Sequence, residues 1–306
     1  MKIVFMGTPD FAVKSLAEIA KVHEVAAVFT QTDKPVGRKQ ILTPPPVKVL
    51  AESLNIPVYQ PPTLKDGKAL DILKQISPDL IAVVAYGKIL PKKILELPKY
   101  GCVNVHGSLL PKYRGASPIQ WCIVSGDTVT GVTTMKMDEG MDTGDILETE
   151  ETAIGEDETA GELFERLADI GAKLLVKTVK DLENGDIVPR KQPEDGVSKA
   201  PIIKKEMAKL DFSLNAKELC CAVRGYNPWP CAYFISDGKR IKVYKAKISE
   251  MSGKPGTVLK ADSSLIIACG NGALELIEVQ PEGKKRMSAS DMLHGSFKLK
   301  VGDIVN

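Results

Sequence analysis

Continuous apolar runs alternate with amphipathic stretches over the first 190 residues of the chain. Four short apolar runs are found at residues 2–6, 24–30, 57–60 and 79–86. Runs of this kind are typical of parallel strands that are covered on both faces. Helical stretches lie near residues 10–20, 47–54 and 67–76, and a capping box at Thr159-Ala-Gly-Glu162 predicts a long helix ending at Asn184-Gly185. The pattern predicts a doubly wound, mostly parallel, Rossmann-like α/β domain, in which ligands bind beyond the carboxyl ends of the strands.

The pattern changes beyond residue 189. Residues 190–205 contain Pro, Lys and Gly without apolar periodicity, which is typical of a linker. A short helix near residues 215–224 is followed by strand-like runs, with Asp237-Gly238 and Asn271-Gly272 between them as in hairpins. Short strands at this spacing indicate a small OB-like β-barrel. We therefore expect an α/β domain at residues 1–189, a linker at 190–205 and a barrel domain at 206–306.

A fifth strand of the α/β domain is predicted to end in polar side chains. Asn104 and His106 are two residues apart, so on a strand both point to the same face. Among the three histidines of the chain, only His106 lies in a polar run, and Asp142 follows thirty-six positions later. A lone histidine beside an apolar strand is commonly structural, so this pattern alone leaves a structural and a catalytic role about equally open.

An amide, an imidazole and a carboxylate are the groups needed to transfer an acyl or formyl group to an amine. The reaction passes through a tetrahedral carbon with a developing oxyanion, to which Asn104 can donate. His106 can move the proton that the attacking nitrogen loses, and Asp142 can orient the imidazole and stabilise its cationic form. Asp145 is the rival carboxylate. We favour Asp142 because Thr143-Gly144 permits a tight turn that aims it inward.

Composition and charge narrow the class of protein. The 306 residues are 43% hydrophobic and 26% charged, which is ordinary for a globular chain with room for two domains. Residues 1–189 carry 21 Lys or Arg against 26 Asp or Glu, whereas residues 206–306 carry 15 against 11. A basic second half favours a polyanionic partner there, although a mildly basic domain can also be merely a soluble one.

Several function classes are not favoured by the sequence. The six cysteines form no Cys-x-x-Cys pair, so we expect no metal. The turn at Gly7-Thr8-Pro9 lacks the glycines of a dinucleotide site and the Gly-Lys-Ser/Thr ending of a phosphate loop. The first residues do not form a signal peptide, and no run reaches the ~18 apolar residues of a membrane helix. We expect a cytoplasmic protein without a membrane partner.

Four motifs together resemble the signature of the formyltransferases that use 10-formyltetrahydrofolate. They are Asn104-Val-His106, Ser108-Leu-Leu-Pro111, Arg114-Gly115 and Asp142-Thr-Gly-Asp145. The resemblance implies 10-formyltetrahydrofolate as the formyl donor, with Asn104, His106 and Asp142 as the catalytic residues. It also implies a folate pocket lined by Gly87, Ile89, Leu90, Ser108, Leu109, Leu110 and Pro111. Leu109 and Leu110 can equally serve core packing, and the two roles are compatible.

The acceptor is a separate question, because family members that act on sugar amines or on glycinamide ribonucleotide resemble the same core. Residues 32–46 form a long basic excursion, and long loops in compact domains are usually functional or disordered. This loop and the basic linker and barrel resemble those of family members that formylate an aminoacyl-tRNA. The resemblance implies initiator methionyl-tRNA as the partner, contacted by Arg38, Lys39, Lys204 and Lys205, and we expect a monomer. A non-catalytic, folate-dependent RNA-binding module is the alternative of another class.

Overall fold

The computed structural model describes residues 1–37, 39–295, 297 and 299–306. Its described residues fall into two compact units. The first unit comprises residues 1–115, 130–152 and 164–200, and the second comprises residues 116–129, 153–163 and 201–306. No helix in the described part of the chain is both long and apolar enough to cross a membrane.

The strands, in chain order, are β1 (Lys2–Gly7), β2 (Glu24–Phe29), β3 (Lys34–Val36), β4 (Ile41–Thr43), β5 (Val58–Tyr59), β6 (Leu80–Val84), β7 (Cys102–His106), β8 (Arg114–Gly115), β9 (Val129–Lys136), β10 (Asp145–Ala153), β11 (Lys199–Ala200), β12 (Ala232–Ser236), β13 (Lys239–Ser249), β14 (Val258–Ala261), β15 (Leu265–Ala268), β16 (Ala273–Pro281) and β17 (Met287–Ser288). The helices are α1 (Asp10–Val22), α2 (Pro46–Ser53), α3 (Lys68–Ile76), α4 (Lys92–Leu95), α5 (Pro118–Val124), α6 (Ala160–Asn184), α7 (Ala216–Gly225) and α8 (Ala289–His294), with a 3₁₀ turn at Lys205–Ala208.

The main sheet of the first unit has the strand order β10-β9-β7-β6-β1-β2-β5. The strands from β7 to β5 run parallel, whereas β9 is antiparallel to β7. All five residues of β6 are buried, as expected of a strand covered on both faces. Strand order reverses at β1, whose neighbours are β2 and β6, so the open edge for ligands lies beyond the carboxyl ends of these strands. The predicted Rossmann-like α/β architecture is confirmed.

The sheet of the second unit is antiparallel, with the order β12-β13-β16-β15-β14 and β17 paired to β16. Asp237 and Gly238 join β12 to β13 with φ of 48° and 70°, the left-handed pair that a two-residue hairpin requires. Residues 302–306 connect the two edges of the sheet. Val258 in β14 donates to the Asp303 carbonyl at 2.9 Å, and Asn306 donates to the Ile235 carbonyl in β12 at 3.0 Å. This segment completes the small OB-like barrel that the turn spacing predicts.

Candidate active site

The candidate site is built at the carboxyl end of β7, a strand flanked by β6 and β9. Asn104 pairs with Val83 of β6 and with Met135 of β9, and His106 pairs with Thr133 of β9. Alternation along the strand places Asn104 and His106 on one face. Asn104 is half-buried, and among the described residues its carboxamide has no hydrogen-bond partner. Its amide is therefore available to donate to a ligand.

His106 is buried, and its two ring nitrogens face different partners. Nε2 lies 3.0 Å from the carbonyl oxygen of Tyr113. Because a carbonyl only accepts hydrogen bonds, Nε2 carries a hydrogen and donates it. Nδ1 lies 3.7 Å from Oδ1 of Asp142, and the two side chains are 6% and 16% exposed. This distance is too long for a hydrogen bond, and it places the carboxylate charge beside Nδ1.

Asp142 is held by the backbone around it. Its Oδ2 accepts a hydrogen bond of 2.8 Å from the backbone N–H of Gly115, which leaves Oδ1 for the imidazole. Asp142 has a φ of 55°, a left-handed conformation that costs an L-residue about 1–2 kcal/mol. Gly144 follows in the same turn, where a Cβ would collide with the Lys136 carbonyl oxygen, so only glycine fits. Asp145, the rival carboxylate, begins β10.

The residues proposed to line a folate pocket lie on two segments that follow the neighbouring strands β6 and β7. On the first segment, Gly87 has a φ of 75°, Ile89 is 77% exposed, and Leu90 is buried in the core. Beside them the Lys88 ammonium donates to the carbonyls of Pro61 and Pro62. Burial, and then the nearby charge of Lys34, lowers the pKa of Lys88.

The second segment is a turn in which many of the polar groups form hydrogen bonds within the protein. Ser108 Oγ donates to the Lys112 carbonyl at 2.7 Å, and Thr133 Oγ1 donates to the Ser108 carbonyl at 2.7 Å. The Leu110 side chain packs with Met135 and Ile146, and the Leu110–Pro111 peptide bond is cis. Leu109 and Pro111 are half-buried. The side chains of this turn therefore divide between the core and the edge of the site.

The residues predicted to contact tRNA are distributed over both units. Arg38 lies outside the described residues. Lys39 lies exposed at the tip of a hairpin formed by β3 and β4, in which Val36 pairs with Ile41. Lys204 and Lys205 are exposed at the start of the 3₁₀ turn. The hairpin itself was not predicted, and its apolar side chains are unusually exposed, at 55% for Val36, 62% for Ile41 and 65% for Leu42.

Two residues with a part in the site's geometry, Tyr113 and Gln192, escaped the sequence-based prediction. Tyr113 contributes its backbone carbonyl to His106, and Gly115 of the predicted Arg114-Gly115 motif contributes its N–H to Asp142. Gln192 contacts the Asp142 turn. It lies in a segment without apolar periodicity, so no local sequence pattern indicates its role. In the described part of the chain, no three His, Cys, Asp or Glu side chains converge as a metal site would require.

The amide, imidazole and carboxylate gathered at this edge are the groups that acid–base group transfer requires. Residues 1–179 match the family model described as formyl transferase, and residues 202–296 match the model of the formyl transferase C-terminal domain. The chain belongs to the formyl transferase family.

Curated relatives match along the full chain. The methionyl-tRNA formyltransferase of Citrifermentans bemidjiense is 47% identical over 307 residues, covering 100% of this chain and 96% of its own. Those of Myxococcus xanthus and Lachnospira eligens are 50% and 49% identical, with coverage of 98% and 99% of this chain and 96% and 98% of their own.

Solved structures share the fold at lower identity. The N-formyltransferase from Helicobacter canadensis, solved with folinic acid and dTDP-3-aminofucose, has a TM-score of 0.68 at 22% identity and covers 94% of this chain and 100% of its own. Methionyl-tRNA formyltransferase from Clostridium thermocellum has a TM-score of 0.55 at 21% identity, with 81% and 94% covered. HypX from Aquifex aeolicus, solved with tetrahydrofolic acid, has a TM-score of 0.65 at 19% identity. The match covers 98% of this chain but only 48% of that longer protein.

Proposed function

We propose that this chain transfers the formyl group of 10-formyltetrahydrofolate to the amino group of initiator methionyl-tRNA, which yields N-formylmethionyl-tRNA for translation initiation. The observation that carries the chemistry is the distance of 3.7 Å between His106 Nδ1 and Asp142 Oδ1, at a strand end where the Asn104 amide has no partner among the described residues. Relatives about 47–50% identical over the full chain, all named methionyl-tRNA formyltransferase, support the acceptor.

The proposed mechanism assigns one task to each of the three side chains. The amino nitrogen attacks the formyl carbon, and Asn104 donates a hydrogen bond to the oxygen on which negative charge develops. His106 keeps its Nε2 hydrogen on the Tyr113 carbonyl, so Nδ1 is the atom that takes the proton from the amine. Asp142 stabilises the imidazolium. The same proton then passes to N10 of the folate as the bond from the formyl carbon to N10 breaks.

The remaining assignments belong to the same proposal. Folate binding is assigned to the segments after β6 and β7, and tRNA contact to Arg38, Lys39, Lys204, Lys205 and the barrel domain. The domain boundaries at residues 189 and 205 stay predictions. A monomer in the cytoplasm, serving translation without a membrane partner, completes the proposal.

The acceptor is tested by a competition among amines. Purified protein with 10-formyltetrahydrofolate is supplied with charged initiator methionyl-tRNA, with free methionine, or with a dTDP-amino sugar. We expect rapid formylation of the charged tRNA alone. Transfer to the sugar amine instead would reassign the acceptor while keeping the chemistry. Folate binding with no transfer to any amine would indicate a non-catalytic module.

A further inference from the structure

An irregular segment, residues 190–200, pairs with strands at both of its ends and lies beside the candidate site; we name it the strap. Its first anchor is Arg190, which exchanges two backbone hydrogen bonds of 2.8 Å with Ile146 in β10. Its last is β11, which pairs in parallel with β8. Ser198 lies between them. Its Oγ accepts from the Tyr113 N–H at 2.8 Å, and its carbonyl accepts from the Arg114 N–H at 2.9 Å.

Gln192 is the side chain of the strap that reaches the Asp142 turn. It is half-buried, although Lys191 and Pro193 on either side are exposed. Its Nε2 donates to the carbonyls of Asp142 and Gly144, each at 2.8 Å. Its Oε1 accepts from Nε and Nη2 of Arg114, at 3.0 and 2.7 Å. The side-chain amide of Gln192 therefore makes all four of its hydrogen bonds to the Asp142 turn and to Arg114, the two segments next to His106.

The two segments that Gln192 joins, the Asp142 turn and Arg114, both adjoin the groups proposed to react. Asp142 is in a left-handed conformation that its own chain does not favour, and the two bonds from Gln192 oppose its relaxation. Arg114 sits between Tyr113, whose carbonyl holds His106, and Gly115, whose N–H holds Asp142. Fixing Arg114 and the Asp142 turn to each other therefore fixes the imidazole relative to the carboxylate.

We propose that Gln192 is a positioning residue of the reaction, which acts by holding Asp142 in its left-handed conformation facing His106. The expected effect of Gln192 on kcat rests on the proposed function, whereas its expected effect on the Asp142 turn does not. The residue touches neither of the reacting groups, and removing its contacts lets the carboxylate rotate away from Nδ1. Displacement of a catalytic group by about 1 Å can cost on the order of 10²-fold in rate.

The decisive variant is Gln192→Glu, which keeps the size of the side chain and an acceptor for Arg114 but places a carboxylate oxygen against the Asp142 and Gly144 carbonyls. Gln75→Glu, the same chemical change at an exposed position of α3, is the matched control. We expect Gln192→Glu to lower kcat about 10- to 100-fold with KM values for both substrates nearly unchanged. The control should keep parental kcat. Gln192→Met, which removes all four hydrogen bonds without adding charge, should change kcat in the same direction.

A double-mutant cycle with Asp142→Asn separates positioning from general structural damage. If Gln192 acts through Asp142, Gln192→Glu has little further effect on kcat once the carboxylate is gone. Multiplying effects in the double variant, or a parental kcat in both Gln192 variants, would overturn the proposal.

A second readout does not depend on the acceptor. The Gly115 amide is bonded to Asp142, so its hydrogen exchange measured by NMR in the free protein should speed up in Gln192→Glu and not in Gln75→Glu. Unchanged exchange in both would refute the positioning role. A parent that fails to formylate methionyl-tRNA would instead refute the proposed function and leave this measurement valid.

Discussion

The two carboxylate oxygens of Asp142 face different groups. Oδ2 is fixed by the Gly115 N–H, and Oδ1 faces His106 without forming a short hydrogen bond. The Gly115 hydrogen bond restrains the carboxylate, and Oδ1 lies 3.7 Å from Nδ1 of His106. In the proposed mechanism, this arrangement leaves Nδ1 free to take the proton of the attacking amine.

The two carboxylates proposed for this role are separated by conservative substitutions. Asp142→Asn keeps the size and the bond from Gly115 but removes the charge beside His106, so kcat should fall about 10²-fold or more. Asp145→Asn, which is the matched change in the same segment, should keep most of kcat. Steady-state kinetics of both variants decide the assignment, and the reverse order of effects would transfer the role to Asp145.

His106 is expected to contribute to the chemical step and little to folate binding. His106→Ala should reduce kcat by about 10²–10⁴-fold, the usual contribution of a general acid–base group. Fluorescence titration with a folate ligand should give a nearly parental Kd, which also shows that the variant is folded. Turnover within a few-fold of the parent would remove His106 from the mechanism.

His23 gives the free energy of unfolding a dependence on pH. Partial burial, and then the charge of the N-terminal amine, lowers the pKa of His23 from its ordinary value of 6.5. Below pH 6.5 the unfolded chain therefore binds a proton at this position more readily than the folded protein does, and stability falls as the pH decreases. In His23→Gln, urea unfolding between pH 7.5 and 5.5 should show a smaller loss. An identical loss in the parent and the variant would exclude this contribution.

Individual residues were predictable where the local pattern carries the information. Asn104 and His106 share a strand face, and Gly144 marks the turn after Asp142. Gln192 contacts Asp142, 50 residues away in the chain, and Tyr113 contributes a backbone carbonyl, which any residue type carries. No local period encodes such a contact.

At the scale of elements, the predicted strands β1, β2, β5, β6 and β7 and the predicted helices α1, α2, α3 and α6 are present, because burial and capping leave local signals. Strands β9 and β10 and helix α5 were not predicted. The α6 capping box is present, with the Thr159 N–H donating to Glu162 Oε2 at 2.9 Å. The β3–β4 hairpin left no such signal. Its strands are three residues each and exposed, and Pro35 lies within β3, where it argues against a strand.

The hairpin tip is assigned to the tRNA. Lys39→Ala should weaken binding of methionyl-tRNA and flatten its salt dependence, since each lost phosphate contact reduces the counterions released. Lys74→Ala, at an exposed position of α3, is the control and should change neither. Filter binding from low to physiological salt measures both quantities. Equal affinities and slopes for the two variants and the parent would leave Lys39 a solvated surface charge.

At the scale of the whole molecule, the switch from apolar runs to hairpin turns was enough to predict an α/β part followed by a small barrel. The composition of the compact units was not predictable, because α5 and residues 153–163 group with the barrel although they lie inside the first 189 residues. Residues 190–200 likewise cluster with the first unit through backbone pairing that composition does not reveal.

The six cysteines are all free thiols, five of them buried and Cys220 half-buried. Burial raises the pKa of Cys102 to about 12 and that of Cys269 to about 11, and it also raises the pKa values of Cys220 and Cys231. Because the thiolate is the reactive form, the folded protein at pH 8 should react slowly with a disulfide reagent. In guanidinium, six equivalents should react at once. Rapid reaction of one equivalent in the folded state would identify an accessible thiol.

Because the native thiols are expected to react slowly, a fluorescent dye can be attached to an introduced cysteine without removing any native cysteine. A cysteine introduced at position 41, on the same exposed hairpin, would be the single fast-reacting site for a maleimide dye and would leave Lys39 in place. Emission from that dye would follow the arrival of an RNA at the tip, one molecule at a time.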